Sequence, residues 1–332
     1  MKDLIIIGKG GAMLMAFMLV AYMLGICSCD HKDLCMNHSH MVDVDVSFDW
    51  SYAPDADPVA MVVQFFRVDD GRQCYRCEFS PARKGETGRG LIKGGKVRIP
   101  AGEYRILFHN NDIERMDERG DTYAGYEVVS LEQSLLEPMD RGALGAPPRP
   151  GDTGEAPVRG AVGDVWGGRC EYLEVQAGVS GQSVTLSPAR MAVECTVELR
   201  NVKNMSDAVG VSAALTGMSE GLRLADNAPS GMPATVPFAL RRTDDHTLEA
   251  RFRVFGHCPV QTGQHFLSVY TSGKTYYDFD VTGQVHAGED ASYAGPIHIV
   301  IDAEINLPSG GGEGMSPSIS GWEEITIELG MN

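Results

Sequence analysis

The sequence predicts an all-β body in two domains behind an N-terminal leader. Three observations carry this. The first is strict alternation of apolar and polar residues. Val42, Val44, Val46, Phe48 and Trp50 alternate with Asp43, Asp45, Ser47 and Asp49, and Val193, Cys195, Val197 and Leu199 alternate with Glu194, Thr196, Glu198 and Arg200. A period of two is the pattern of a strand with one buried face. The second is regular punctuation by Gly, Pro and Asp, the residues that turns require. The third is that no helical periodicity of useful length follows the leader.

The leader organises the chain. Lys2 and Lys9 give a positive start, and Gly11 to Ile26 is an apolar run. That run is shorter than the roughly 20 residues of a spanning helix, so a signal peptide fits better. It closes on Leu24-Gly25-Ile26-Cys27-Ser28-Cys29-Asp30. A lipoprotein signal has an aliphatic residue three before the modified cysteine and a small one directly before it. Cys29 meets both with Ile26 and Ser28, whereas Cys27 is preceded by bulky Ile26. Cys29 is therefore the expected lipidated residue and Cys27 the runner-up. An N-terminus acylated more than once at that one cysteine, palmitate among the acyl chains, would hold the chain to outer-membrane lipid stably.

The chain has 332 residues, a net charge of −17 and eight cysteines. The acidic balance excludes nucleic acid, whose phosphates need Lys/Arg stripes. An exported protein can form disulfides, but the pairing of scattered cysteines cannot be read from sequence.

Asp30 to Met41 reads as a polar, His-rich tether, with Cys35, His38 and His40 as solvated linker residues rather than metal ligands. Met61 to Val68 is apolar enough to be a central strand. Cys74 and Cys77 lie in the next one, and three apart in a strand they face opposite ways. Gly94 to Phe108 reads as strand, Pro-Ala-Gly turn, strand. A strand follows at Tyr123 to Val129, and Leu131 to Leu136 suits a short helical turn. The stretch 138–168 is rich in Pro and Gly and reads as a long loop at a domain boundary, with Val165 and Trp166 returning to the first core. Ten further strands are expected, from Tyr172–Val175 to Ile325–Leu329, with Ser272-Gly273 turning a hairpin.

The expected organisation is thus a signal peptide over 1–28, a lipidated tether over 29–41, an N-terminal domain over 42–170 and a C-terminal domain over 171–332 ending in a strand over 322–329. Pro308 to Ser318 has a linker composition, so Ile325, Ile327 and Leu329, on one face of that last strand, are candidates for strand exchange with another subunit. No nucleophile elbow, phosphate loop, zinc motif or dinucleotide fingerprint is present. His257-Cys258-Pro259 reads as a turn. No catalytic residue, metal or cofactor is expected.

Several segments occur together in order: Cys-Ser-Cys-Asp, His-Lys-Asp-Leu-Cys, Val-Asp-Val-Asp-Val, Pro-Ala-Gly-Glu-Tyr, Thr-Val-Glu-Leu-Arg-Asn-Val and Phe-Gly-His-Cys-Pro. In these the chain resembles the fimbrillin-like lipoproteins of Bacteroidota, the anchor or accessory subunits of type V pili. The resemblance implies two tandem β-sandwich domains of transthyretin-like topology, a non-enzymatic role in a pilus or adhesive structure, and an outer-membrane, cell-surface position. Polymerising pilins of this kind are cut after an arginine and accept a strand from a neighbour. No arginine lies between Met41 and Trp50 here, which favours an uncut anchor or accessory subunit. Asp30, His31, Lys32 and Asp33 resemble a surface-export signal. The alternative is a free-standing surface lipoprotein that binds a glycan or host protein.

Overall fold

The alternation at Val42 becomes β1 (Met41–Phe48), where every second residue is buried. Its outward Asp43 and Asp45 lie opposite Arg98 and Lys96 on the neighbouring strand. The acidic face is thus matched across the ladder by basic residues. Trp50 falls outside the strand, in a single 3-10 turn (Trp50–Tyr52) capped by the Asp49 carboxylate. Its buried indole N–H donates to the Ile92 carbonyl at 2.8 Å.

The computed structural model describes residues 40–81, 91–112, 114–139, 145, 147–150, 154, 156–205, 210–259, 264–287, 295–308 and 321–327. The leader, the tether up to residue 39 and Leu329 lie outside them, and with them Cys27, Cys29 and the Asp30–Asp33 signal. Among the described residues no helix is long and apolar enough to cross a membrane.

The fold is all-β. The first half contains β2 (Met61–Arg67), β3 (Gln73–Phe79), β4 (Gly94–Pro100), β5 (Gly102–Asn110), β6 (Met116–Arg119), β7 (Glu127–Ser130), β8 (Trp166–Val175), β9 (Gln182–Leu186) and β10 (Ala189–Arg190). The second contains β11 (Val193–Lys203), β12 (Val211–Ser219), β13 (Gly221–Arg223), β14 (Ala228–Pro229), β15 (Pro233–Ala239), β16 (Arg241–Arg242), β17 (Leu248–Val254), β18 (Phe266–Thr271), β19 (Thr275–Asp280), a one-turn helix α1 (Thr282–Val285), β20 (Ile297–Asn306) and β21 (Glu323–Glu324).

In the first half, sheet β4-β1-β9 faces sheet β10-β8-β5-β2-β3. Val44, Val46 and Ile99 from the one pack with Val63, Phe65 and Ile106 from the other in a single apolar core. In the second half, sheet β16-β17-β11-β20 faces β15-β12-β18-β19-β21 over a core that contains Val197, Ile299, Leu215 and Val269. The two sandwiches repeat one topology. Each begins with a strand (β1, β11) that sits at the centre of its smaller sheet, antiparallel to one neighbour (β4, β17) and parallel to a late one (β9, β20). Their larger sheets run β3-β2-β5-β8 and β15-β12-β18-β19 in corresponding order, and each carries one more short strand beyond, β10 or β21.

A further sheet, β14-β13-β7-β6, takes two strands from each half. The strands from Trp166 to Arg190, most of which the sequence places beyond 170, all hydrogen-bond with sheets of the first sandwich.

Three local readings are corrected. Cys74 and Cys77 do not face opposite ways. Phe65 pairs with Tyr75 and Phe66 with Gln73, so Cys74 sits in a bulge, and both thiols pack against the first core. The helical turn is a 3-10 turn at Glu137–Met139, later than expected. Residues 156–165 are not a free loop. Arg159 N donates to Thr235 O at 2.9 Å, Thr235 N to Pro157 O at 2.9 Å, and Val162 N to Arg253 O at 3.0 Å. This stretch runs along β15 and β17, and glycine composition alone did not reveal those partners. Trp166 returns to the first core, where its N donates to Asn110 Oδ1 at 2.8 Å, whereas Val165 is buried in a different cluster, with Phe66 and Leu107.

Candidate functional site

The edge of the larger sheet in the second sandwich is the first candidate. β19 would be an unpaired edge without β21, which lies parallel to it with Glu323 opposite Thr275 and Glu324 opposite Tyr276. Backbone bonds make the seat: beside the ladder itself, Glu323 N donates to Lys274 O and Ile325 N to Tyr276 O, each 2.9 Å. Trp322 anchors the approach: its indole N–H donates to Gly145 O at 2.9 Å and its ring meets Tyr270 edge-on at 5.9 Å. Tyr276 donates its hydroxyl proton to Glu324 at 3.2 Å. Ile325 and Ile327 are half-buried against the second core.

The regular strand is therefore shorter than the sequence suggests, and it occupies the edge that β10 closes in the first sandwich. β10 follows β9 after a short turn. β21 reaches its seat only after the Gly/Pro/Ser-rich stretch that follows Pro308. The receiving residues Thr275 and Tyr276 were not singled out in the sequence. Their signal was there in the aromatic-rich hairpin, but an edge position cannot be read from one strand alone.

The positive φ that the β18–β19 hairpin needs falls on Lys274, at 61°, rather than on Gly273. Asp278, further along β19, has its carboxyl raised above the usual range, chiefly by burial and also by the charge of Glu324, against the Ser268 hydrogen bond. The terminal segment is thus in electrostatic contact with the strand it covers.

A cleft of about 1190 Å³ is the second candidate, bounded by residues 131–138, 160–164 and the outer face of β11 and β17. Phe238 of β15 and Phe252 of β17 stack there at 4.2 Å. Arg251, Arg253, Glu198 and Glu249 line the same space. Arg253 Nε pairs with Asp164 Oδ1 at 3.1 Å, and Thr196 Oγ1 bonds His298 Nδ1 at 2.7 Å. Aromatic carbon beside charged donors and acceptors suits a polar ligand with apolar faces.

The cysteines offer little chemistry. All five described ones are free thiols. Burial pushes Cys77 up to about 11 and Cys195 up to about 12, so neither is a thiolate at neutral pH. Cys258 gives its proton to Gly231 O at 3.4 Å, as a turn residue.

Fold and edge together define a tandem β-sandwich protein whose last sheet is completed by a short terminal strand. The chain belongs to the family described as a domain of unknown function, DUF5119, whose profile matches residues 28–239. No curated protein matches it significantly in sequence. A candidate adhesin from Bacteroides ovatus superposes with a TM-score of 0.55 at 16% identity, over 87% of this chain and 94% of that one. A candidate polysaccharide-binding protein from Bacteroides thetaiotaomicron gives 0.51 at 10% identity, over 78% and 89%. The fimbrial anchor protein Mfa2 from Porphyromonas gingivalis gives 0.46 at 12% identity, over 78% and 90%. The first two share this fold.

Proposed function

We propose that this chain is a non-enzymatic surface lipoprotein, a fimbrillin-like anchor or accessory subunit of a pilus or related adhesive structure. It would be held in the outer membrane by acyl chains on Cys29, with its body outside the cell. The observation that carries the reading is the seat on β19. A short strand held by a few backbone bonds and half-buried isoleucines leaves its edge readily. Each such bond is worth about 1 kcal/mol net, so a longer strand from a neighbouring subunit competes well for the same edge. The segment Trp322 to Ile327 could in turn add to a neighbour's sheet. The fold shared with a candidate adhesin supports an adhesive role, and the segments resembling fimbrillin-like lipoproteins support a fimbrial one.

The test is deletion of residues 319–332. A folded, soluble body that no longer co-purifies with fimbrial subunits supports the reading. A deletion product that unfolds assigns the segment to the domain's own core, and one that assembles normally rules out exchange through this end.

The cleft favours a second reading, a free-standing lipoprotein that binds a glycan. Half-buried Phe252, stacked on the buried Phe238, supports it, as does the shared fold of a candidate polysaccharide-binding protein. Against it, Trp50 and Trp166 are buried, so neither offers an open platform for a sugar ring. Saturable glycan binding lost in Arg251→Ala would favour this reading over the first.

A further inference from the structure

Three histidines distant in sequence meet at one end of the second sandwich. His257 follows β17, His265 precedes β18, and His286 caps α1. One ligand nitrogen from each lies within 4.8 Å of the other two. The ring centroids are 4.6 Å apart for His257 and His286, 5.0 Å for His265 and His286, and 5.5 Å for His257 and His265. His257 and His265 are buried, and His286 is half-buried.

The backbone fixes all three. Cys258 N donates to Gly217 O at 2.9 Å, Val281 N to His265 O at 2.9 Å, and His286 N to Thr282 O at 3.1 Å. His265 N donates to Thr282 Oγ1 at 2.9 Å. The register of β12 shifts between Leu215 and Met218, and this irregularity presents the Thr216 carbonyl to His265 Nδ1 at 3.0 Å. Gly217 lies at φ +75°, and a Cβ there would come within 2.6 Å of that same Nδ1. A carbonyl only accepts, so Nδ1 carries the proton and Nε2 keeps its lone pair. Metal-binding imidazoles are commonly oriented in this way, with the other ring nitrogen bonded to a backbone carbonyl.

We propose that His257, His265 and His286 form a site for a divalent transition metal of the zinc class, which ties the end of β17, the start of β18 and helix α1 together. Neutral imidazole nitrogens suit zinc, cobalt, nickel and copper, whereas calcium and magnesium prefer oxygen. Zinc–nitrogen bonds of about 2.0 Å bring ligand nitrogens to about 3.3 Å of one another in a tetrahedron, so modest ring rotations close the site. Among the described residues these three are the ligands, and they leave a fourth position for a further donor. Cys258 is not in the set, because its thiol is directed to Gly231 O. The histidines are separated by the whole of β18, β19 and α1, and no zinc spacing motif marks them, so sequence reading expected no metal.

The test uses the full chain in detergent, without a histidine tag, stripped with chelator and titrated with Co²⁺ and Zn²⁺. The expected result is one equivalent of Co²⁺ with the intense visible bands of a tetrahedral ion, displaced by Zn²⁺, and a rise in melting temperature with Zn²⁺ but not with Ca²⁺. His286→Gln should weaken Zn²⁺ binding by about 100-fold and abolish the Zn²⁺-dependent rise in melting temperature. A chain with His31, His38 and His40 all changed to Ala should bind as before, which separates the site from the His-rich tether. Absence of Co²⁺ bands in the unaltered chain overturns the proposal without recourse to a variant. So does Zn²⁺ binding that survives His286→Gln, or binding lost with the tether histidines.

Discussion

Leu222 lies directly opposite Val128 in an antiparallel ladder, and that pairing joins strands from the two halves in one sheet. Both side chains are buried, in a cluster with Phe66, Leu107, Tyr126 and Phe255 that belongs to neither sandwich core. The sandwiches repeat one topology, yet the chain stitches them together through β7 and β13.

Glu220, just before β13, is the ionic part of that joint. Its carboxylate is 4% exposed and accepts from Arg119 at 2.7 Å and Arg159 at 2.9 Å. Its carbonyl accepts from Ser130 N at 2.9 Å. Glu220→Gln should destabilise the chain by about 2–4 kcal/mol, since it leaves two arginines around a neutral amide. Arg119→Ala, at a position half open to solvent, should cost about 1 kcal/mol or less. Urea unfolding would measure both. Equal costs would mean that the triad contributes no more than a surface pair.

The Pro/Gly-rich stretch makes a different prediction now that its second part is seen to be pinned. Limited proteolysis should cut within 138–155, where composition favours cleavage and Arg141 offers a tryptic site. It should spare 156–165, which is bonded to Thr235 and Arg253. The two pieces should remain together on gel filtration, because the C-terminal piece supplies β8, β9 and β10 to the first sandwich and the β7–β13 ladder adds to that hold. Separation of the pieces without denaturant would contradict this strand pairing.

Much of this architecture was legible because strand alternation is local. β1 and β11 each face a core on one side, so their period of two is unambiguous. Pairing is not local. Nothing in Gly221-Leu222-Arg223 announces that it will lie beside Glu127-Val128-Val129. The bulge at Cys74 arises from a register shift with β2, and a spacing rule applied to β3 alone therefore placed the two thiols on opposite faces. The same limit explains the β19 edge and the three histidines, whose positions depend on which strands become neighbours.

His109 gives a pH dependence with a definite sign. It is buried, and burial holds its imidazole below the usual histidine range. Nδ1 donates to Asn110 O at 2.9 Å, and Nε2 accepts from Tyr126 at 3.0 Å. The unfolded chain takes up this proton near about pH 6.5, before the folded chain does, so stability falls as pH drops through that value. Glu118 acts in the same direction at lower pH. Burial pushes its carboxyl up, but the Arg76 hydrogen bond and the nearby charges leave it below the usual carboxylate value. Between about pH 7.5 and 5.5 the urea midpoint should fall less in His109→Gln than in the unaltered chain. An identical pH slope in both would show that His109 does not titrate on unfolding.

The anchor is tested by acyl labelling. Ser28 before Cys29 makes Cys29→Ala the variant expected to lose labelled fatty acid and leave the membrane fraction, while Cys27→Ala keeps both. Labelling that survives the first change and vanishes with the second would move the modified residue to Cys27.

The β19 seat allows the exchange hypothesis to be tested without removing any residue. Thr275 and Glu323 are opposite one another on parallel strands, which lie about 4.8 Å apart and so within reach of a disulfide. The double variant Thr275→Cys with Glu323→Cys should close within one chain on oxidation and lock the terminal segment onto its own edge. The oxidised protein should then fold as before but fail to co-fractionate with fimbriae, and reductant should restore assembly. The lock adds a bond between residues already paired, so lost assembly with an unchanged melting profile would point to the edge itself. If the locked protein assembles as well as the reduced one, the segment from Trp322 to Ile327 is an ordinary last strand, and the subunit must be joined through another surface.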